Sequence, residues 1–271
     1  SSHPFPWRHC DLRVGEHSPQ NTFGMLKITP DGRYALAGTR HEPIEFDLKS
    51  GEAIATFKKR YKFDTTVVGI GLSPDGKRAV TLVNDPSIVF WDAMAVVVTD
   101  MIKPLAEYPG INDITPDLKT LVYLDYQHNL CVWNLRHKQC LQKMQIPVEV
   151  PRQSQIINRL MAISGDGRFC LLILRDELFG IDLPQGDLRF HQAFNLGGAR
   201  ELVMTPDGHK ALIGGDKGQI WLMDIPTRTY EPLTGLEHHI SNLAITPDAR
   251  YALSSSRGEY LTKDNTLRLW D

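Results

Sequence analysis

Apolar positions along this chain fall in short alternating runs separated by polar turns. VVGIGLS, residues 67–73, leads into the turn PDG and then into KRAVTLV, residues 77–83. A third run, SIVFWD, and a fourth, AVVVTD, follow at short intervals. Proline presets a turn backbone, aspartate bonds its own main chain, and glycine tolerates positive φ. Apolar runs on either side of such a turn predict strand, turn, strand. The same turn recurs as ITPDG ending at Gly32, LSPDG at Gly76, ITPDL at Leu118, ISGDG at Gly167, MTPDG at Gly208 and ITPDA at Ala249. Its aspartates are Asp31, Asp75, Asp117, Asp166, Asp207 and Asp248, at successive spacings of 44, 42, 49, 41 and 41 residues.

Each turn is followed by a third run: PIEFDL, SIVFWD, NLCVWN, ELFGID, QIWLMD and TLRLWD. A fourth run follows all but the last: EAIATF, AVVVTD, QCLQKM, LRFHQAF and YEPLTG. The repeating unit is therefore four short strands. One such sheet cannot bury both of its faces alone, so units of this kind stack radially into a propeller. The expected class is all-β.

The residues also carry a family resemblance. The period, the [ST]-P-D-G turn and the pairs Trp91-Asp92 and Trp270-Asp271 resemble WD repeats. Trp133-Asn134, Met223-Asp224, Phe46-Asp47 and Ile181-Asp182 are degenerate versions of the pair. The likeness runs from Phe23 to Asp271 and is fullest in the sixth unit. The Gly-His dipeptide of the family is missing throughout. His238 or His239, paired with Asp264, could replace that histidine in the sixth unit, where Trp270 completes the set. A propeller family with S-P-D-G turns and I-D-L-x-T-G third strands fits FDLKSGEAIATF less well. The resemblance implies that the sequence repeat is out of step with the blade, so the outer strand of the last blade comes from the N-terminus. CDLRVGE, Cys10–Glu16, alternates suitably for an outer strand. The expected architecture is one propeller over 1–271: a tail and closing strand in 1–17, and six four-stranded blades in 18–271. The alternative is part of a seven-bladed or double propeller. Since the chain begins without Met and stops in mid-pattern, it reads as a piece of a longer protein.

Composition narrows the function. The chain has 271 residues, 42% hydrophobic, with a formal net charge of -2 and acidic and basic residues interspersed. No basic stripe points to nucleic acid. No apolar run has the length of a membrane span, and no signal-peptide pattern opens the chain. Cys10, Cys131, Cys140 and Cys170 form no C-x-x-C pair, which suggests a reduced, cytoplasmic setting.

Candidate chemistry is sparse. There is no G-x-S-x-G elbow, H-E-x-x-H, P-loop or Gly-rich dinucleotide loop. His3, His9 and His17 are spaced too loosely for a metal. Adjacent His238 and His239 are better read as one structural and one exposed histidine. The recurring aspartates are explained by turn chemistry, and Trp91, Trp133, Trp221 and Trp270 by blade packing. The irregular loops are more informative. SRGEYLTKDN, Ser256–Asn265, is a long second-to-third connection where GDKG is short, and PVEVPRQSQII accounts for the 49-residue spacing. Insertions on one face of a repeat protein often mark its binding face. The resemblance implies that these loops share one face, bringing together Arg257, Glu259, Tyr260, Lys263, Arg152, Arg175, Arg40, His41, Tyr126, His128 and Lys217. Arg and Tyr are enriched among binding hot spots, and the mixture suits an acidic or phosphorylated peptide. For any one of these residues a solvated loop position is the commoner outcome.

The expected function is a non-catalytic interaction scaffold or ligand-sensing module, with no cofactor or metal, a protein or peptide partner, and other domains in the parent chain. The wording TPDGRYAL also resembles the WD regions of NACHT-type signalling ATPases. The rival class is a propeller enzyme, hydrolase or lactonase, with a central-channel site. The mostly apolar inner runs VVGIGLS, NRLMAIS and ISNLAIT count against that rival.

Overall fold

The computed structural model describes residues 25–28, 33–38, 44–47, 50, 53–56, 67–73, 75–83, 85, 87–93, 95, 97–102, 109–125, 127–147, 159–174, 177–194, 198–233, 240–245, 251–256 and 267–270. These form five four-stranded sheets and one three-stranded sheet. The first holds β1 (Met25–Ile28), β2 (Tyr34–Gly38), β3 (Ile44–Asp47) and β4 (Ala53–Thr56). The second holds β5 (Val67–Leu72), β6 (Arg78–Val83), β7 (Ser87–Asp92) and β8 (Val97–Ile102). In the third are β9 (Pro109–Ile114), β10 (Thr120–Asp125), β11 (Asn129–Asn134) and β12 (Gln139–Gln145). The fourth comprises β13 (Arg159–Ile163), β14 (Phe169–Leu174), β15 (Glu177–Asp182) and β16 (Asp187–Ala193). The fifth has β17 (Ala199–Met204), β18 (Lys210–Gly215), β19 (Ile220–Asp224) and β20 (Thr229–Leu233), with a short 3-10 turn at Asp216–Gly218. Among the described residues the sixth has three strands: β21 (Ile240–Ile245), β22 (Ala252–Ser256) and β23 (Leu267–Trp270). Strands adjacent in sequence are adjacent in each sheet. The expected all-β class and the four-strand unit are therefore present. Cys10–Glu16, the expected closing strand, lies outside the described residues.

The chain divides into two compact units, residues 1–85 with 89–101 and residues 86–88 with 102–271. In the first unit, Leu36 of β2 joins Val67, Ile70, Val83 and Trp91 in one core. In the second, successive sheets bury their faces against each other. Val122, Leu124, Leu130 and Val132 of the third sheet meet Cys170, Leu172, Leu174 and Phe179 of the fourth. Phe169, Leu171, Ile173 and Leu178 of the fourth meet Leu202, Ile213, Trp221 and Met223 of the fifth. Leu212 and Ile220 of the fifth meet Ile240 and Ala252 of the sixth.

This stacking explains the runs that do not alternate. β14 reads FCLLIL and every residue in it is buried. Odd and even positions point to opposite faces, and both faces carry a neighbouring sheet. Each fully buried aliphatic or aromatic side chain contributes about 1.5–3 kcal/mol. Outer strands have one edge without a neighbour, and they read accordingly: β12 alternates exposed and half-buried along its length.

The recurring turn has one chemistry. Ser73 Oγ donates to Asp75 Oδ1 at 2.6 Å, Thr115 Oγ1 to Asp117 at 2.8 Å, and Ser164 Oγ to Asp166 at 2.6 Å. Thr205 and Asp207 repeat the pair. Each aspartate also accepts a backbone N–H two residues on, from Lys77, Lys119, Arg168 and His209. The position after the aspartate is left-handed: Gly76, Gly167 and Gly208 have φ of 68°, 70° and 72°. Leu118 takes the same conformation at 57° without being glycine. Asp31 and Asp248 lie outside the described residues.

The aspartate of the WD pair has a job too. Asp92, Asp224 and Asp47 each accept the N–H three residues later, at 2.9, 2.9 and 3.1 Å, and so fix the turn into the outer strand. Asn134 does the same at 2.9 Å, which explains why Asn is a working variant there. Asp182 departs from the set: its carboxylate pairs with Arg189 of β16.

Candidate functional site

Up-and-down order puts the aspartate turns and the third-to-fourth turns at one end of every sheet. Connections from second to third strands, and from one sheet's fourth strand to the next sheet's first, leave from the other end. The candidate residues belong to the latter set. Arg40, Tyr126, Arg175, Arg257, Tyr260 and Lys263 fall between second and third strands, and Arg152 falls between β12 and β13. All seven lie outside the described residues, as do His41, Glu259, His238, His239 and Asp264. Lys217 belongs to the 3-10 turn.

The described part of this end is a set of tightly bonded turns. Asp125, at the end of β10, is fully buried and is the one charged residue among the buried polar groups described. It accepts bonds from the Gln127 and Asn129 N–H at 2.9 and 2.8 Å and from Asn129 Nδ2 at 2.8 Å. Lys143 Nζ lies 3.5 Å away. His128 takes φ 66° and donates its N–H to the Asp125 carbonyl at 3.1 Å. A buried carboxylate is tolerated only when saturated in this way. The β10–β11 turn, on which Tyr126 falls, is thus anchored at its base. In the fifth sheet, Arg200 pairs with Asp216. In the fourth, His191 Nε2 lies 3.1 Å from Glu177 Oε2, with its ring stacked on Phe179.

At the opposite end the carboxylates are held by their turns. The Ser73 hydroxyl and the Lys77 N–H keep Asp75 below the usual carboxylate range. The Ser164 hydroxyl does the same for Asp166, and the Thr205 hydroxyl and the His209 N–H bring Asp207 down to about 2. For Asp117 partial burial pulls upward, but bonds from Lys119 and Thr115 outweigh it. These are structural acceptors, one to each turn, as the sequence reading had them. Among the described residues no three His, Cys, Asp or Glu side chains gather as a metal-binding group. Burial pushes the Cys131 thiol up to about 11 and Cys170 higher still, which removes both from nucleophilic roles near neutrality.

Trp91 and Trp270 have structural partners. Trp91 Nε1 donates to Thr81 Oγ1 at 2.9 Å in a buried bond, and Trp270 Nε1 to Ser254 Oγ at 2.9 Å. Trp133 is equivalent to Trp91, but Tyr123 stands where Thr81 would be. Its buried Nε1 has no acceptor among the described residues. The histidine and Asp264 expected to extend the Trp270 network are outside the described residues.

Sequence reasoning missed several contacts between sheets. Ile163 N–H of β13 donates to Asp113 Oδ2 of β9 at 3.0 Å, and Gln192 Nε2 to the Tyr230 hydroxyl at 2.6 Å. The available signal for Asp113 was a polar pair, Asn112-Asp113, inside an otherwise apolar inner strand.

Comparison with known proteins places a family match where the pattern is fullest. Residues 230–271 match the family described as WD domain, G-beta repeat. No curated protein matches the chain. The matched segment contains the three described strands of the sixth sheet and the Trp270–Ser254 bond. Residues 230–271 are thus similar to a WD repeat, and the five preceding sheets share the sequential strand order of the sixth. WD repeats generally mediate protein–protein interaction and typically lack catalysis.

Proposed function

We propose that this chain is a non-catalytic protein-interaction platform whose second-to-third-strand loops dock a partner protein or peptide. The observation that supports it most is the asymmetry between the two ends of the sheets. Among the described residues, one end carries recurring turns closed by a Ser/Thr–Asp bond. The other carries every large departure from the repeat, above all Ser256–Asn265 inside the segment matched to the WD family. Repeat proteins put partner-specific insertions on one face in this way. The Arg and Tyr content of these loops suits an acidic or phosphorylated segment. In this reading the six repeats close as a ring of blades, with Cys10–Glu16 supplying the fourth strand that the sixth sheet lacks among the described residues. The platform serves a larger, cytoplasmic signalling protein of the NACHT-type architecture.

Arg257→Glu combined with Tyr260→Ala tests the docking face. The account expects weaker partner capture at an unchanged melting temperature. Undiminished capture removes the loop from the site. Deleting residues 1–17 tests closure: the reading expects a clear drop in melting temperature, and an unchanged one contradicts it.

A further inference from the structure

The inner strand β17 contains a bulge. Ala199 faces Gly215 and Glu201 faces Gly214, so Arg200 is the extra residue. A bulge of this kind re-aims the side chains on either side of it. Ala199 joins the core shared with the fourth sheet. Glu201 points the other way, toward the sixth sheet. The direction follows from Gly214: a Cβ built there would lie 2.6 Å from Ile240 Cγ2, and directly opposed residues of an antiparallel pair share a face. Glu201 is thus held in the seam between β17 and β21, half-buried beside a buried isoleucine.

Glu201 makes no hydrogen bond or ion pair with any described residue, and the one influence on its carboxyl is burial, which pushes it up to about 7. The nearest cation in sequence, Arg200, is engaged by Asp216. The described carboxylates around it at this end of the sheets have partners: Asp216 has Arg200, Glu177 has His191, and Asp125 has Asn129 and Lys143. The fold does not demand an acid here. The same bulge in the second and sixth sheets is followed by Gly69 and Asn242. Among the described residues the groups facing Glu201 are neutral: Gly214 on β18 and Ile240 on β21, with Asn242 further along β21.

We propose that Glu201 is a docking point for a basic side chain, a guanidinium or ammonium on a partner segment lying over the seam between β17 and β21. A cation there supplies the one group the carboxylate lacks, and partial removal from water strengthens the pair. The inference rests on reading this end of the sheets as the partner face. It adds that the bound segment carries a positive residue among its acidic ones.

The test is an NMR titration of the full chain with N-acetyl-arginine methylamide in mildly alkaline buffer, with N-acetyl-norleucine methylamide as the neutral control. The expected result is saturable shifts centred on the amides of Glu201, Gly214 and Ile240 for the arginine probe alone. Glu201→Gln, which keeps size and removes charge, should weaken that binding at least about tenfold. Acidifying below the Glu201 titration point should weaken it in the wild type and not in the variant. Three results overturn the proposal: no saturable shift up to tens of millimolar, equal binding by the variant, or equal binding of the norleucine probe. Capture that depends on Arg257 and Tyr260 while the arginine probe stays silent would sink this inference and leave the proposed function standing.

Discussion

Gly165 stands where the other described turns have proline, and it is expected to be irreplaceable by that proline. Its N–H donates to the Pro206 carbonyl of the next sheet's turn at 2.8 Å. Pro74, Pro116 and Pro206 occupy the equivalent position and cannot donate. Gly165→Pro makes the turn match its siblings and removes this bond, which costs about 0.5–1.5 kcal/mol. The ring must also fit where a single Cβ would lie 3.0 Å from the Pro206 oxygen and 3.2 Å from the Pro206 Cβ. Crowding of that degree adds about 1–3 kcal/mol. The sum is a loss of about 1.5–4.5 kcal/mol, seen as a lower urea midpoint at unchanged slope. Gly165→Ala keeps the donor and requires a shift of only a few tenths of an ångström, so its cost stays below about 1 kcal/mol. A Gly165→Pro protein as stable as the wild type would refute the claim that this bond ties the two turns together.

Three further outcomes follow from the same bonds. Thr81→Val removes the acceptor of the buried Trp91 indole N–H and should cost about 1–3 kcal/mol by urea unfolding, whereas Thr81→Ser, which retains the acceptor, should cost less. Glu201 holds its proton up to about pH 7 when folded and releases it near 4.5 when unfolded, so wild-type stability falls as pH rises between those values. Glu201→Gln should flatten that slope and, after allowance for solvent screening, be more stable above neutrality by about 1 kcal/mol, measured as melting temperature against pH. Asp207 shows the opposite sign: its folded value near 2 lies below the unfolded one, so its contribution is present at neutrality and lost as pH falls toward 2, and Asp207→Asn should remove that part of the acid dependence.

The strand order was legible because each repeat states it redundantly. FCLLIL is apolar on both faces since a sheet covers each face, and the [ST]-x-D turn writes its own hydrogen bonds into adjacent residues. The function of aspartate in the WD pair was less legible, because Asp92 and Asn134 act on a backbone N–H three residues later and no side chain marks the receiver. Contacts between sheets left almost no trace. Asp113 reaches Ile163 across fifty positions, Gly165 acts through a main-chain donor, and the Glu201 environment depends on a bulge visible only in the register. The loop residues Arg257, Tyr260 and Arg152 were singled out by departure from the repeat. Such departure marks a place, while the geometry of a docking surface depends on how separate loops converge.

The central claim is that partners dock at the loop end of the sheets and not at the aspartate-turn end. Cross-linking of a captured partner, read by mass spectrometry, tests it directly, because lysines mark both ends. Cross-links concentrated on Lys217 and Lys263 are the predicted result. Cross-links concentrated on Lys77, Lys119, Lys138 and Lys210 would place the partner on the turns and contradict the account.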